Sequence, residues 1–426
     1  MPHRFNTLFI AGLLAGLALP AALAAQPAPS AEAAEDSLSR LQAVYHFGHP
    51  LDVMARARAG VPALNTMAYQ DKANDPRPIG LARPDADLLH ASAWLDLSSG
   101  PVVLDMPSLA GRYHAVAITS MAGDLLALLG TRTGSQGGRF ALVSTDYAGP
   151  YPDGATPLRL GCRSCRLVAR VLVRGPDDLA TAREALAGIT LQAEATPASP
   201  KAKDWLGRVN MVIAEEGPSS IIGQKAAQLP ALAEPAEVWA KTLPALRAAL
   251  QETLPTAFPR VNGWSYPPFP IADAAADDIT RAQIATLAPD ALPRVELMEI
   301  TTSEDEAGVP LSGSKAYRLR LPYNLPAGGY WSVSMYAPGK DGQLDFVANE
   351  LGRFAVGDRS DHLRADRNGS TELFIQAARP QGERVVNWLP APQGHFTLVF
   401  RAALPKAELL DGSFRLPPVT PAEPVP

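Results

Sequence analysis

Cysteine is nearly absent from this chain. Two of its 426 residues are cysteine, and they lie together in Gly161-Cys162-Arg163-Ser164-Cys165-Arg166. Arg166, not histidine, follows the second, which excludes c-type haem attachment. Basic clusters are also missing, and the net charge is −5, which argues against nucleic acid as a partner. Beyond the N-terminus no apolar run reaches the ~20 residues of a membrane span. There is no G-x-S-x-G elbow, no H-E-x-x-H and no Walker loop, so the common routes to a hydrolase, a metalloprotease or a nucleotide enzyme are not signposted. The glycine-rich segment Gly130 to Gly138 lacks both G-x-G-x-x-G spacing and a Gly-Lys-Ser/Thr ending. It reads instead as a hairpin connection between strands 125–129 and 139–144. No internal repeat is present.

What the chain does have begins with an export signal. Arg4 lies in a short basic start, Leu8 to Leu19 form an apolar run, and Ala22-Leu23-Ala24 fits an A-x-A cleavage site. Residues 1–24 are therefore expected to be a signal peptide cut after Ala24, giving a periplasmic or secreted protein. No cysteine follows to carry a lipid anchor. In an oxidising compartment the expected state of Cys162 and Cys165 is a local disulfide. A thiol–disulfide catalytic pair and half of a zinc site are the other readings. The first normally opens a helix, and here the pair leads into the strand-like Leu167 to Val173. Export also removes ATP- and NAD-dependent chemistry.

Hydrophobic residues make up 47% and charged residues 19%, a globular composition. The 41 prolines favour short strands and stiff connections over long helices. An Ala/Pro/Ser-rich leader at 25–36 reads as disordered. A helix starts near Asp36 or Ser37, with Leu38, Leu41, Val44 and Tyr45 on one face, and Pro50 is expected to end or kink it. Strands follow up to Val173, then a helix at Pro176 to Leu186. Residues 196–295 read as a helical connector broken by a loop at Val261 to Pro270. The last third alternates again, and Trp331, Val333 and Met335 should share one face. The expected fold is α+β: an N-terminal mixed α+β domain at 37–195, the connector, a C-terminal antiparallel β-sandwich of jelly-roll type at 296–416, and an extended Pro-rich tail at 417–426.

Several segments resemble a known bacterial family. In the C-terminal third these are Gly308-Val309-Pro310-Leu311-Ser312-Gly313, Tyr330 to Tyr336, Asn349, Arg353-Phe354, Gly357-Asp358-Arg359, Asn387 to Pro392, Arg401 and Asp411-Gly412-Ser413. In the N-terminal half they are Pro50-Leu51, Ala93-Trp94, Gly100 to Leu104, Gly111-Arg112-Tyr113, Gly130 to Gly134 and Asp177-Asp178-Leu179. The N-terminal half resembles domain of unknown function 1254, and the C-terminal third resembles its companion, domain of unknown function 1214. The resemblance implies an α+β domain joined to a jelly-roll sandwich and does not imply a reaction. This chain departs from the family where the polar Pro-Asn-x-Asp-Thr-Leu-Tyr-Ser segment has become Pro84 to Ala91, and where Asp-x-Tyr-Thr-Asn has become Ser120 to Asp124.

The histidines of the mature chain are His46, His49, His90, His114, His362 and His395. His49, His90 and His114 fall where the resembled family tends to carry tyrosine. One expectation is that these three approach one another near Asp87. They could then hold a divalent metal such as zinc, or act as general base and acid, with Asp87, His90 and His114 as the catalytic set. The other is that they are unrelated polar replacements. Arg112 could fix an anion or form a structural ion pair. Trp331, Tyr336 and Trp388 could line a binding face or belong to the core. Two functions are weighed. The favoured one is a ligand-binding or accessory protein that takes a small molecule in a cleft between the two domains. The alternative is a periplasmic, possibly metal-assisted hydrolase. No motif requires a cofactor.

Overall fold

Alternation of apolar and polar residues builds most of the strands, and a computed structural model fixes how they pair. It describes residues 31–71, 84–197, 201–268, 272, 276–339 and 344–423. The chain divides into two compact units, residues 1–39 and 40–426, and the five sheets found among the described residues lie in the second. The expected signal segment and cleavage site, the leader up to residue 30 and the last three residues of the tail lie outside the described residues. No described helix is long and apolar enough to cross a membrane.

The N-terminal half holds a five-stranded antiparallel sheet. Its order in space is Ala68–Tyr69, Leu88–Asp96, Ser164–Leu172, His114–Ser120, Leu125–Gly130. Every residue of Ser164–Leu172 is buried, so this sheet is covered on both faces. One face carries Leu89, Ala91, Leu167, Ala169, Val116 and Ile118. It packs with a four-stranded sheet of Thr190–Gln192, Val102–Met106, Gly138–Ser144 and Thr156–Leu160. On the opposite face Leu88, Tyr113, Ala115 and Leu172 cluster with Leu297, Tyr330 and Ala403 of the C-terminal half. The two halves thus share a buried seam.

Helices Ala31–Arg58, Trp205–Glu216, Ala236–Ala257 and Asp278–Leu287 contribute to a third cluster that includes Tyr45, Leu51, Trp94, Trp205, Trp239 and Leu246. Asp204 and Asp277 cap two of them by accepting from Gly207 N and Thr280 N, which satisfies otherwise orphaned amides. In the C-terminal third a seven-stranded sheet is built around Leu297–Thr302, Thr397–Pro405 and Ala327–Pro338. A four-stranded sheet is built around Ala316–Leu321 and Thr371–Gln376. Met298, Ile300, Val333 and Phe400 of the first share one cluster with Tyr317, Leu319, Leu373 and Ile375 of the second. Trp331, Val333 and Met335 do share a face, opposite Ala402, Phe400 and Leu398.

Several expectations are corrected. The first helix begins by Ala31, inside the leader, and runs through Pro50 to Arg58. Proline costs one helical hydrogen bond, and the buried flank of Val44, Phe47, Leu51 and Met54 holds the helix together across the gap. The glycine-rich segment is not a hairpin turn. Leu125–Gly130 belongs to the five-stranded sheet and Gly138–Ser144 to the four-stranded one, so the segment crosses between layers. Gly130 has φ 136°, and a Cβ there would come within 2.3 Å of His114 O. The connector's loop contains two short strands, Arg260–Val261 and Trp264–Ser265, which extend the seven-stranded sheet. Two strand pairs are parallel, including Thr371–Gln376 with Trp388–Pro390, so the C-terminal third is not purely antiparallel. The tail forms a paired strand, Thr420–Ala422, beside Ala316–Leu321.

Candidate functional site

The seam between the halves opens into a cleft of about 670 Å³. One side is formed by Ala86, Asp87 and the turn from Val173 into the helix Leu179–Ala187. The other is formed by residues 351–362 around the short strand Ala355–Gly357. That strand pairs with Ser332 to Ser334, and Gly357 lies so close to it that a Cβ would meet Trp331 O at 2.3 Å. This close approach carries Arg359 onto the seam.

Asp87 and Arg359 form the floor. Asp85 first fixes the chain, its Oδ1 accepting from Asp87 N at 2.7 Å and Leu88 N at 3.2 Å. Asp87 Oδ1 then accepts from Arg359 Nη2 at 2.5 Å, and Oδ2 accepts from Ser332 Oγ at 2.5 Å. Arg359 also donates to Val173 O at 3.0 Å, and its guanidinium lies 4.6 Å from the centre of the Tyr330 ring. Tyr330 meets Tyr113 edge-on. Burial, with Asp85 and Asp87 nearby, pushes the Tyr330 hydroxyl well above its usual pKa.

Positive charge outweighs negative in the lining. Arg174, Arg183, Arg353 and Arg359 face the cleft, against Asp87 and Asp361. Arg359 neutralises Asp87. The guanidinium groups of the other three donate to neutral carbonyl oxygens: Arg174 to Gly111, Arg183 to Asp71, and Arg353 to Val385 and Trp388. Their charge is therefore not cancelled by those contacts. His362 adds none at neutral pH, because burial and Arg353 lower its pKa.

The expected histidine cluster does not form. His90 stands opposite Arg170 in the sheet, whereas His114 stands opposite Val171. Adjacent strand positions point to opposite faces, so His90 and His114 are separated by the sheet itself. His114 Nδ1 lies 2.9 Å from Arg112 O. His49 is elsewhere, in the helical layer, with Nε2 2.9 Å from Thr286 Oγ1 and Nδ1 3.4 Å from Tyr45 Oη. Burial lowers the pKa of His49 to about 4 and that of His90 to about 3. Among the described residues no group of three His, Cys, Asp or Glu side chains is arranged to hold a metal ion.

The other sequence candidates have structural partners. Arg112 grips Asp178 with both terminal nitrogens at 2.6 Å and also donates to Leu172 O. Tyr336 donates to Pro84 O at 2.7 Å and accepts from Arg401 Nη2 at 2.9 Å. Trp388 Nε1 donates to Gln376 O, and Trp331 stacks on Phe400 in the core. Cys162 and Cys165 are joined in a disulfide, the state expected in an oxidising compartment. Of the candidates only Asp87 reaches the cleft. Arg359 was visible only as part of the Gly357-Asp358-Arg359 segment, and its partner lies 272 residues away.

Residues 64–193 match the family model described as "Protein of unknown function (DUF1254)", and residues 296–407 match "Protein of unknown function (DUF1214)". No curated protein matches the chain. The fold is similar to the crystal structure of the VPA0106 protein from Vibrio parahaemolyticus, at TM-score 0.70 and 20% identity. The match covers 91% of this chain and 100% of that one. A protein from Burkholderia cenocepacia gives TM-score 0.45 at 12% identity, covering 93% and 91% of the two chains.

Proposed function

We propose that this chain, a DUF1254 region followed by a DUF1214 region, is an exported protein that binds a small anionic molecule in the cleft between its halves. The observation that carries the reading is the arginine excess in a 670 Å³ cleft whose floor is a preformed Asp87–Arg359 pair. Ligand pockets are typically ~300–1,000 Å³ and formed before the ligand arrives. Arginine's planar fork suits carboxylate and phosphate groups. The histidines stand apart, so nothing in their geometry supports the hydrolytic alternative.

Export to the periplasm or beyond is supported by the basic, apolar and small-residue segments at the N-terminus and by the Cys162–Cys165 disulfide. A jelly-roll arrangement of the C-terminal region belongs to the same reading, supported by the single cluster its two sheets share.

Differential scanning fluorimetry against anionic, neutral and cationic metabolites tests the proposal. A ligand that binds the folded state raises the melting temperature. Anionic compounds should produce the shifts, and 0.5 M salt should diminish them, with salt at that level screening charges beyond ~4 Å. Shifts confined to neutral compounds, or unaffected by salt, would contradict it.

A further inference from the structure

A second cavity, separate from the cleft, lies on the seam side of the five-stranded sheet. It measures about 50 Å³ and is bounded by Asp85, His90, Arg170, Asp290, Glu299 and Arg401. It shares Leu287, Ala288, Ala291, Leu297 and Glu299 with a groove of about 470 Å³. The groove has two unlike walls. Leu254, Phe258, Leu287 and Leu292 make one side apolar, and Thr301, Ser303 and Thr397 give the strand side hydroxyl groups.

Three arginines, Arg166, Arg170 and Arg401, meet three carboxylates, Asp85, Asp290 and Glu299, around the cavity. Arg166 pairs with Asp290 at 2.5 Å. Arg401 pairs with Glu299 at 2.8 Å and faces Asp85 at 3.8 Å. Arg170 donates from Nη2 to a main-chain oxygen, that of Asp290 at 3.0 Å, and feels the charge of Asp290 and Glu299 without a direct ion pair among the described residues. Among the described residues its Nη1 has no hydrogen-bond partner, and neither does Nδ1 of His90, which stands directly opposite it in the sheet. Both side chains are deeply buried, His90 being 3% and Arg170 4% exposed. An unmet donor on a buried guanidinium is costly, and buried charges are ordinarily paired.

We propose that the cavity and groove form a second binding site for a small monocarboxylic acid, its carboxylate held by Arg170 and His90 and its body lying in the groove. The carboxylate accepts the N–H that Arg170 leaves unmet, and charge-assisted bonds of this kind are the strong ones. The neutral imidazole of His90 carries one N–H for the second oxygen. At ~30 Å³ per water in the liquid, the cavity admits the few heavy atoms of a carboxylate head. The body then lies with its apolar face against the helices and any hydroxyl or oxo group towards Thr301, Ser303 and Thr397.

Calorimetric titration of the full chain with hexanoate and 4-hydroxybenzoate, each beside its amide, tests this. The acids should bind at least tenfold more tightly than the amides. Arg170→Met should weaken the acids by about thirtyfold or more, the usual effect of truncating one partner of a buried charge pair. Should that variant not fold, Ala291→Trp carries the test. It fills the wall shared by cavity and groove, leaves the charged cluster intact, and should abolish binding. The exposed cleft pair Arg174→Glu/Arg183→Glu should leave acid binding unchanged, which separates this site from the proposed function. Equal binding of acids and amides, absence of binding, or full binding by Ala291→Trp would overturn the proposal and leave the cavity filled by water alone.

Discussion

His90 makes folding stability depend on pH, and the effect can be worked from its environment. The ring is buried, and its pKa falls from 6.5 to about 3. The folded state refuses a proton that the unfolded state accepts, so between these two values the unfolded chain holds more protons and stability rises with pH. The contribution is complete above pH 6.5 and is lost as the pH falls towards 3. Between pH 6.5 and 4.5 the loss is about 2 kcal/mol, from 1.36 kcal/mol per unit of pKa difference. Urea unfolding followed by tryptophan fluorescence at half-unit pH steps measures it, comparing the native protein with His90→Gln. His49, with a pKa of about 4, adds a similar slope in both proteins. The variant should take up about one proton fewer on unfolding at pH 5. Identical slopes in the two proteins would refute the burial argument.

Three further outcomes are expected. A double-mutant cycle on Asp87→Asn and Arg359→Gln should give a coupling of about 2–3 kcal/mol, since the pair is largely buried and Asp87 is also held by Ser332; a coupling below about 0.5 kcal/mol would mark it as surface-like. Gly130→Ala should cost more than about 2 kcal/mol in the same unfolding assay, because a positive φ and the approach to His114 O both oppose a Cβ. Replacing Cys162 and Cys165 together by serine should cost about 2 kcal/mol, the chain-entropy value for so short a loop, and dithiothreitol should lower the melting temperature of the native protein but not of the variant.

Local patterns in the sequence carried much of the fold. Alternation placed Trp331, Val333 and Met335 on one face, and Asp177-Asp178 with Gly188 bracketed a helix that exists at Leu179–Ala187. Pairing between distant segments was not legible. Nothing near Gly138–Ser144 indicates that it joins Val102–Met106 and Thr156–Leu160 instead of its neighbour Leu125–Gly130. The histidines illustrate the same limit. Whether His90 and His114 meet depends on the register of both strands against Ser164–Leu172, and that register sets them on opposite faces. The cleft's charge was hidden for a related reason. Arg359 belongs to a segment that resembles a family, but Asp87, which pairs with it, lies 272 residues away.

The binding cleft is tested most directly by titrating an anionic ligand that stabilises the protein, other than the monocarboxylic acids assigned to the second cavity, into the native chain and into Arg174→Glu/Arg183→Glu. Both arginines are exposed at the rim, and their guanidinium groups donate to main-chain oxygens. Reversing two such charges should weaken binding by about tenfold or more and flatten its salt dependence, with folding stability unchanged. Undiminished affinity in that variant would contradict the assignment of this cleft as the binding site.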